Sequence, residues 1–173
     1  RCDEVIAEHL SGRRSAVILK NVGLNACADP LVNATTQGLI AGVVIVAGDD
    51  PLALGSQNTQ DSRYYGELAQ VPVLEPDRTT CAAAICAAFE ASEQFSRVAM
   101  IRLTPRLLDD EVVDNPCEPV GGRGALASRD LTMRGRSEAA ACRTAALFVW
   151  SQESPLNRLY GGIAAAGAEE GQS

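Results

Sequence analysis

"LIAGVVIVAGDD", residues 39–50, decides the fold. Its core, Val43–Gly48, is β-branched and uncharged, with no polar alternation. A strand with one face in water alternates, whereas a strand covered on both faces does not. The stretch therefore predicts a central strand of a parallel sheet with helices on either side. Three further segments share its character: "SAVILK" (15–20), "VPVLEP" (71–76), which proline closes, and "VAMIRLT" (98–104), which Pro105 stops.

Helical patterns lie between these runs. "RCDEVIAEHLSG" (1–12) reads as the end of a helix that closes near Gly12. "NVGLN" (21–25) reads as a loop. Asp29 and Pro30 are then placed to supply an N-cap and a first helical residue, with Gly38 as the stop. A helix is predicted around "SRYYGELAQ" (62–70) and another over "TTCAAAICAAFEASEQFS" (79–96). In the second, Ile85, Phe89 and Ser92 recur at helical spacing as the buried face, with Glu90 and Glu93 off it and Cys81 and Cys86 as small core residues. Strands alternating with helices predict an α/β domain, a mainly parallel sheet flanked by helices. Its limits are residues 1–113. A Pro/Gly-rich linker spans 114–133 and a C-terminal helical segment 134–160, with Cys142, Ala146 and Val149 or Trp150 on one face. A flexible tail covers 161–173.

Composition narrows the function. The net charge is −7, with fourteen arginines, the single lysine Lys20 and no basic run, which argues against nucleic acid as a partner. No apolar run reaches the roughly 18 residues of a membrane span. The chain opens at Arg1 without a signal-peptide pattern and reads as a processed or excised piece of a cytoplasmic protein. Its six cysteines form no C-x-x-C pair, and His9 cannot complete a zinc set by local spacing. Free thiols in a reducing compartment are expected.

Ligands of a parallel sheet bind outside the carboxyl ends of its strands. Two loops leave those ends carrying polar groups: "KNVGLN" (20–25) and the long "GDDPLALGSQNTQDSRYYGELAQVPVLEP" (48–76). Phosphate-loop, dinucleotide and nucleophile-elbow motifs are absent, and "GGRG" (121–124) follows a linker rather than a strand. Asp49 and Asp50 offer too few ligands for a metal. They read as one cap and one solvated carboxylate, so no metal residue is assigned. The Arg63 fork matches a 2-oxo acid carboxylate, but the local sequence alone favours a surface arginine paired with Glu67 at i+4. Gln57, Asn58 and Gln60 are neutral hydrogen-bonders suited to orienting a substrate. Tyr64 and Tyr65 read as packing residues.

"KNVGLNACADPL", "VVIVAGDDP" and "SQNTQDSRYYGELAQVPVLEP" together resemble the alpha subunit of indolepyruvate ferredoxin oxidoreductase, in the thiamine-diphosphate-dependent 2-oxoacid:ferredoxin oxidoreductases. Order and spacing match from about Ser15 to Pro105, and "SPLNRLYGG" (154–162) resembles a later segment. The resemblance implies a pyrimidine-type thiamine-diphosphate domain, N-terminally incomplete. It implies that Arg63, with Gln60, holds the substrate carboxylate and that Asn21, Val22, Gly23 and Asn25 lie beside the cofactor ring. The family's catalytic glutamate lies upstream of the first strand. Glu4 is the position offered for it here, with Glu8 nearby, and neither aligns cleanly. The family's opening glycine-proline turn is missing, as are the diphosphate domain with its magnesium motif and the iron–sulfur cysteines. The resemblance thus implies oxidative decarboxylation of a 2-oxo acid, with magnesium, iron–sulfur clusters and the rest of the site on a beta- or gamma-type partner or a further domain, and ferredoxin reached indirectly. The isolated chain would be inactive. The alternative is a degenerate paralogue that serves as a binding or scaffold subunit.

Overall fold

The computed structural model describes residues 2–109, 111 and 132–154. Four parallel strands form one sheet: β1 (Ser15–Lys20), β2 (Val43–Gly48), β3 (Val73–Leu74) and β4 (Ala99–Leu103), in the order β1-β2-β4-β3. This is the α/β architecture with a parallel sheet that the sequence predicts. β2 and β4 are the inner strands, and both read as near-continuous buried runs. β1 lies at the edge and alternates between half-buried and exposed residues, leaving Ile18 80 % exposed.

The helices are α1 (Cys2–Ala7), α2 (Asn21–Ala26), α3 (Ala28–Gln37), α4 (Tyr64–Ala69), α5 (Cys81–Phe95), α6 (Pro105–Asp109) and α7 (Met133–Glu153). Ile6, Leu24, Leu31 and Ala34 pack with Val43, Ile45 and Met100 on one face of the sheet. On the other face α5 lays Ala84 and Ala88 against Val44, Ala99 and Ile101. α7 joins through Leu147 and Trp150, whose ring meets Phe95 edge-on at 5.6 Å between centroids. Arg97, fully buried, fastens α7 by donating to the Ala140 carbonyl at 3.2 Å and to the Gln70 carbonyl. The 114–133 linker lies outside the described residues apart from Thr132 and Met133, and so do 155–160 and the tail.

Several local expectations are corrected. "NVGLN" is helix, not loop, because Leu24 is fully buried against the sheet and Asn21 caps the turn with its own side chain. Cys27, not Asp29, is the residue before α3, and Asp29 sits in its first turn. Gly38 does end that helix, at φ 77°, the left-handed region that glycine enters without strain. The buried face of α5 carries Ala84, Ala88, Ala91 and Phe95 together with Ser92, which was expected there, while Ile85 is half exposed. Small alanines let this helix approach the sheet more closely than Ile85 would allow. Glu93, expected outside, is buried, because Arg14 grips it with two hydrogen bonds of 2.7 and 2.9 Å. On α7 the buried residues are Gly135 and Leu147, whereas Cys142 and Val149 are exposed.

The cysteines are corrected too. Cys2 and Cys27 form a disulfide with Cα atoms 5.7 Å apart, and Cys86 is also disulfide-bonded. Among the described residues Cys81 and Cys142 are free. The expectation of free thiols is overturned at Cys2, Cys27 and Cys86.

Candidate functional site

The site follows from strand adjacency. Lys20 and Gly48, the last residues of β1 and β2, face each other in the ladder. α2 leaves one strand end and the 49–63 loop leaves its neighbour, so the two meet above the sheet. α2 begins with no intervening residue. Gly23 lets it sit low: a Cβ there would stand 3.3 Å from Leu19 Cβ.

Asn21 is the hub and is fully buried. Its Oδ1 accepts the Val22 N–H at 2.8 Å, satisfying one of the unpaired donors at a helix start, and the Ser56 hydroxyl at 2.8 Å. Its Nδ2 donates to Asn58 Oδ1 at 3.3 Å, and its backbone carbonyl accepts Gln60 Nε2 at 3.3 Å. One turn along α2, Asn25 donates to Gln60 Oε1 at 2.9 Å and accepts the Tyr65 hydroxyl at 2.7 Å. Burial pushes the Tyr65 phenol up from its usual value. Tyr65 therefore does more than pack, and Tyr64, 70 % exposed, does not pack. The result is a row of neutral amides running from buried Asn21 to exposed Asn25. Such groups orient a polar ligand and do not attack it.

Beneath the amides lies an ionic floor. Asp49 is not solvated: its carboxylate accepts Arg102 Nε at 2.7 Å, the Ser62 N–H at 2.8 Å and the Ser62 hydroxyl at 3.1 Å. Arg102 also donates to Glu75 at 2.7 Å, and its side chain is only 4 % exposed. Asp50 is the cap, accepting the Leu54 and Gly55 N–H groups at 3.1 and 2.6 Å. The Gly55 bond chiefly holds its carboxyl below the usual range. Lys20 donates to the Gly55 carbonyl at 2.9 Å, tying the loop to β1.

Arg63 stands at the rim, its side chain 60 % exposed. It does not pair with Glu67 in the manner of a surface helix arginine. Its Nε meets Asp61 at 2.8 and 3.0 Å and its Nη2 at 2.5 Å, a fork-on-carboxylate arrangement. Arg63 holds the Asp61 carboxyl down at about 2, and Asp61 in turn raises the guanidinium.

The structure thus brings together Asn21, Asn25 and Gln60, with Arg63 beside them and Val22 and Gly23 on the same short helix. Glu4 lies on the exposed side of α1, a helix whose Cys2 is bonded to Cys27 just beyond α2, and the hydrogen bonds of the amide row run without it. Sequence reasoning passed over Ser62 and Arg102 and misjudged Asp49. The available signal was an arginine inside the otherwise apolar "VAMIRL" strand, which needs a buried partner.

Comparison with known proteins gives one consistent likeness. The chain is similar to indolepyruvate oxidoreductase subunit IorA of Thermococcus kodakarensis, 40 % identical over 105 residues, 60 % of this chain and 16 % of that protein. It is similar to the same subunit of Archaeoglobus fulgidus, 39 % identical over 59 % of this chain and 16 % of that protein. For Methanothermobacter marburgensis the identity is 38 % over 65 % of this chain and 19 % of that protein. The chain therefore spans less than a fifth of the length of these curated relatives. No family model matches it. The resemblance read from the strand-end loops is to this subunit, and it is partial.

Proposed function

We propose that this chain is the pyrimidine-side part of a thiamine-diphosphate-dependent 2-oxoacid oxidoreductase, acting on an indolepyruvate-like acid, with its site completed by another chain or domain. The observation that carries the reading is the amide row of Asn21, Asn25 and Gln60 beside the Arg63 fork, at the strand ends of a chain similar to indolepyruvate oxidoreductase subunits. The donor set fits one edge of the cofactor. Side-chain amides that both donate and accept suit a ring bearing nitrogen acceptors and an amine. Asn21, Val22, Gly23 and Asn25 would flank that ring, while Arg63 and Gln60 would hold the substrate carboxylate. The bound cofactor supplies the electron sink for decarboxylation. The residues of this chain orient the acid and present a fixed positive charge to it. Glu4, on the helix that the Cys2–Cys27 bond ties beside α2, is the acid–base candidate of this chain; magnesium, the iron–sulfur clusters and the route to ferredoxin belong to partners or to other parts of the protein.

No carboxylate bonds to the amides of Asn21, Asn25 or Gln60 among the described residues, which favours a second reading, a binding or scaffold subunit without chemistry of its own. Affinity purification from the source cell separates the two. A complex containing thiamine diphosphate and turning over a 2-oxo acid supports the enzyme. In that complex Arg63→Gln raises KM for the acid roughly tenfold to a hundredfold, the worth of a charge-assisted hydrogen bond. Purification of the chain without cofactor, or an unchanged KM, favours the scaffold.

A further inference from the structure

The Arg63 fork is already filled by a carboxylate of the chain itself. Asp61, two residues earlier, meets it with both oxygens, and Asp61 Oδ1 also lies 3.9 Å from Arg102 Nε. One carboxylate thus stands between two guanidiniums, in full contact with the exposed one and just short of contact with the buried one. The backbone beneath is fixed, because the Ser62 N–H and hydroxyl are both held by Asp49. Asp61 Oδ1 also accepts the Arg63 N–H at 3.1 Å, so a side-chain rotation that vacates the fork gives up this bond too, while Asp49 keeps Ser62 in place. We propose that Asp61 is an internal stand-in for the ligand carboxylate: it holds Arg63 until the 2-oxo acid arrives, then turns toward Arg102, and so sets the affinity for that acid.

The inference rests on the reading of Arg63 as the carboxylate binder and adds its competitor. Three physical points support it. The geometry is that of a bound carboxylate, with Nε and Nη2 engaged together. The Arg63 side of the pair is open to solvent and Asp61 is partly so, which keeps the cost of breaking it modest and exchange feasible. Arg102 offers the displaced carboxylate a second cation nearby and avoids leaving it stranded. The same arrangement favours a monoanion. Asp49, Asp61 and Glu75 face Arg63 and Arg102, three carboxylates to two guanidiniums, so a second negative charge on the ligand would meet repulsion.

The test follows binding of phenylpyruvate to the full chain by NMR, reading the Arg63 Nε resonance in wild type, Asp61→Asn, Asp61→Ser and Arg63→Gln. The expected result is affinity raised about twofold to fivefold in both Asp61 variants, the range set by competition from an exposed ion pair, and lost in Arg63→Gln. Binding that depends on Arg63 but is unchanged or weaker in both Asp61 variants overturns the stand-in and leaves the reading of Arg63 intact. Binding that survives in Arg63→Gln overturns that reading and the stand-in with it. No binding by any variant overturns both, since an unmasked fork that ignores a carboxylate is not a carboxylate site.

Discussion

Replacing Arg102 with methionine tests how the loop is held. The change keeps an unbranched apolar stem and removes the guanidinium with its charge. Asp49, whose side chain is fully buried, would lose its ionic partner and keep only the two Ser62 bonds. Glu75, 29 % exposed, can turn to water. Breaking a buried pair from one side costs about 3–5 kcal/mol. The Ser62 bonds and the solvent near Glu75 place this variant at the lower end, about 3 kcal/mol, or roughly 6–12 °C in melting temperature for a chain of this size. Urea denaturation measures the loss. Asp49→Asn in the Arg102→Met background should recover about 1–2 kcal/mol, because a neutral amide no longer strands a charge. Amide exchange should quicken at Ser62 and Arg63 well before the strands. A loss below about 1 kcal/mol, or a double variant less stable than Arg102→Met, would refute the claim that this cluster fixes the loop.

Two further outcomes are expected. The Cys2–Cys27 bond closes a span of 25 residues, for which the chain-entropy model gives about 3.5 kcal/mol; the double variant Cys2→Ser/Cys27→Ser should lose about 2–3.5 kcal/mol of unfolding free energy by urea titration, with the Cys86 bond intact. Asp61, held at about 2 by Arg63 and so depressed below its unfolded value, contributes stability present above about pH 4 and lost as pH falls through about 2. After allowance for the exposure of Arg63 the contribution is about 1 kcal/mol. Comparing Asp61→Asn with wild type at pH 6 and pH 2 should show the difference at the higher pH alone.

The four strands and their parallel arrangement were legible in the sequence because their signal is local: β-branched runs of strand length bounded by Gly, Pro and polar turns. The misread elements depended on distant residues. Asn21, Gly23 and Asn25 favour turns by propensity, yet burial of Leu24 and the side-chain cap of Asn21 make the segment a helix. Glu93 looks like a surface residue until Arg14, 79 positions away, is brought to it. Arg102 needed Asp49 and Glu75, 53 and 27 positions away, before its place in a strand made sense. In the candidate site the legible part was which loops carried polar groups and that both left the same sheet edge. The engagement of Arg63 by Asp61 in place of Glu67 could not be read, since helical spacing favours Glu67 at i+4, whereas Asp61 lies before α4, where the turn rather than the helix sets the contact.

The loop after β2 is fastened by two separate clasps in series. The Asp50 carboxylate closes residues 50–55 on themselves and Lys20 pins Gly55, while Asp49, Ser62 and Arg102 fix the stretch that carries Gln60 and Arg63. Leu52 and Leu54, 74 % and 80 % exposed, lie wholly within the first clasp. The two halves can therefore change independently. Residues 51–54 form an exchangeable cassette where length and composition can vary while the second clasp keeps Gln60 and Arg63 in place, whereas a single substitution at Arg102 reaches every group the second clasp holds.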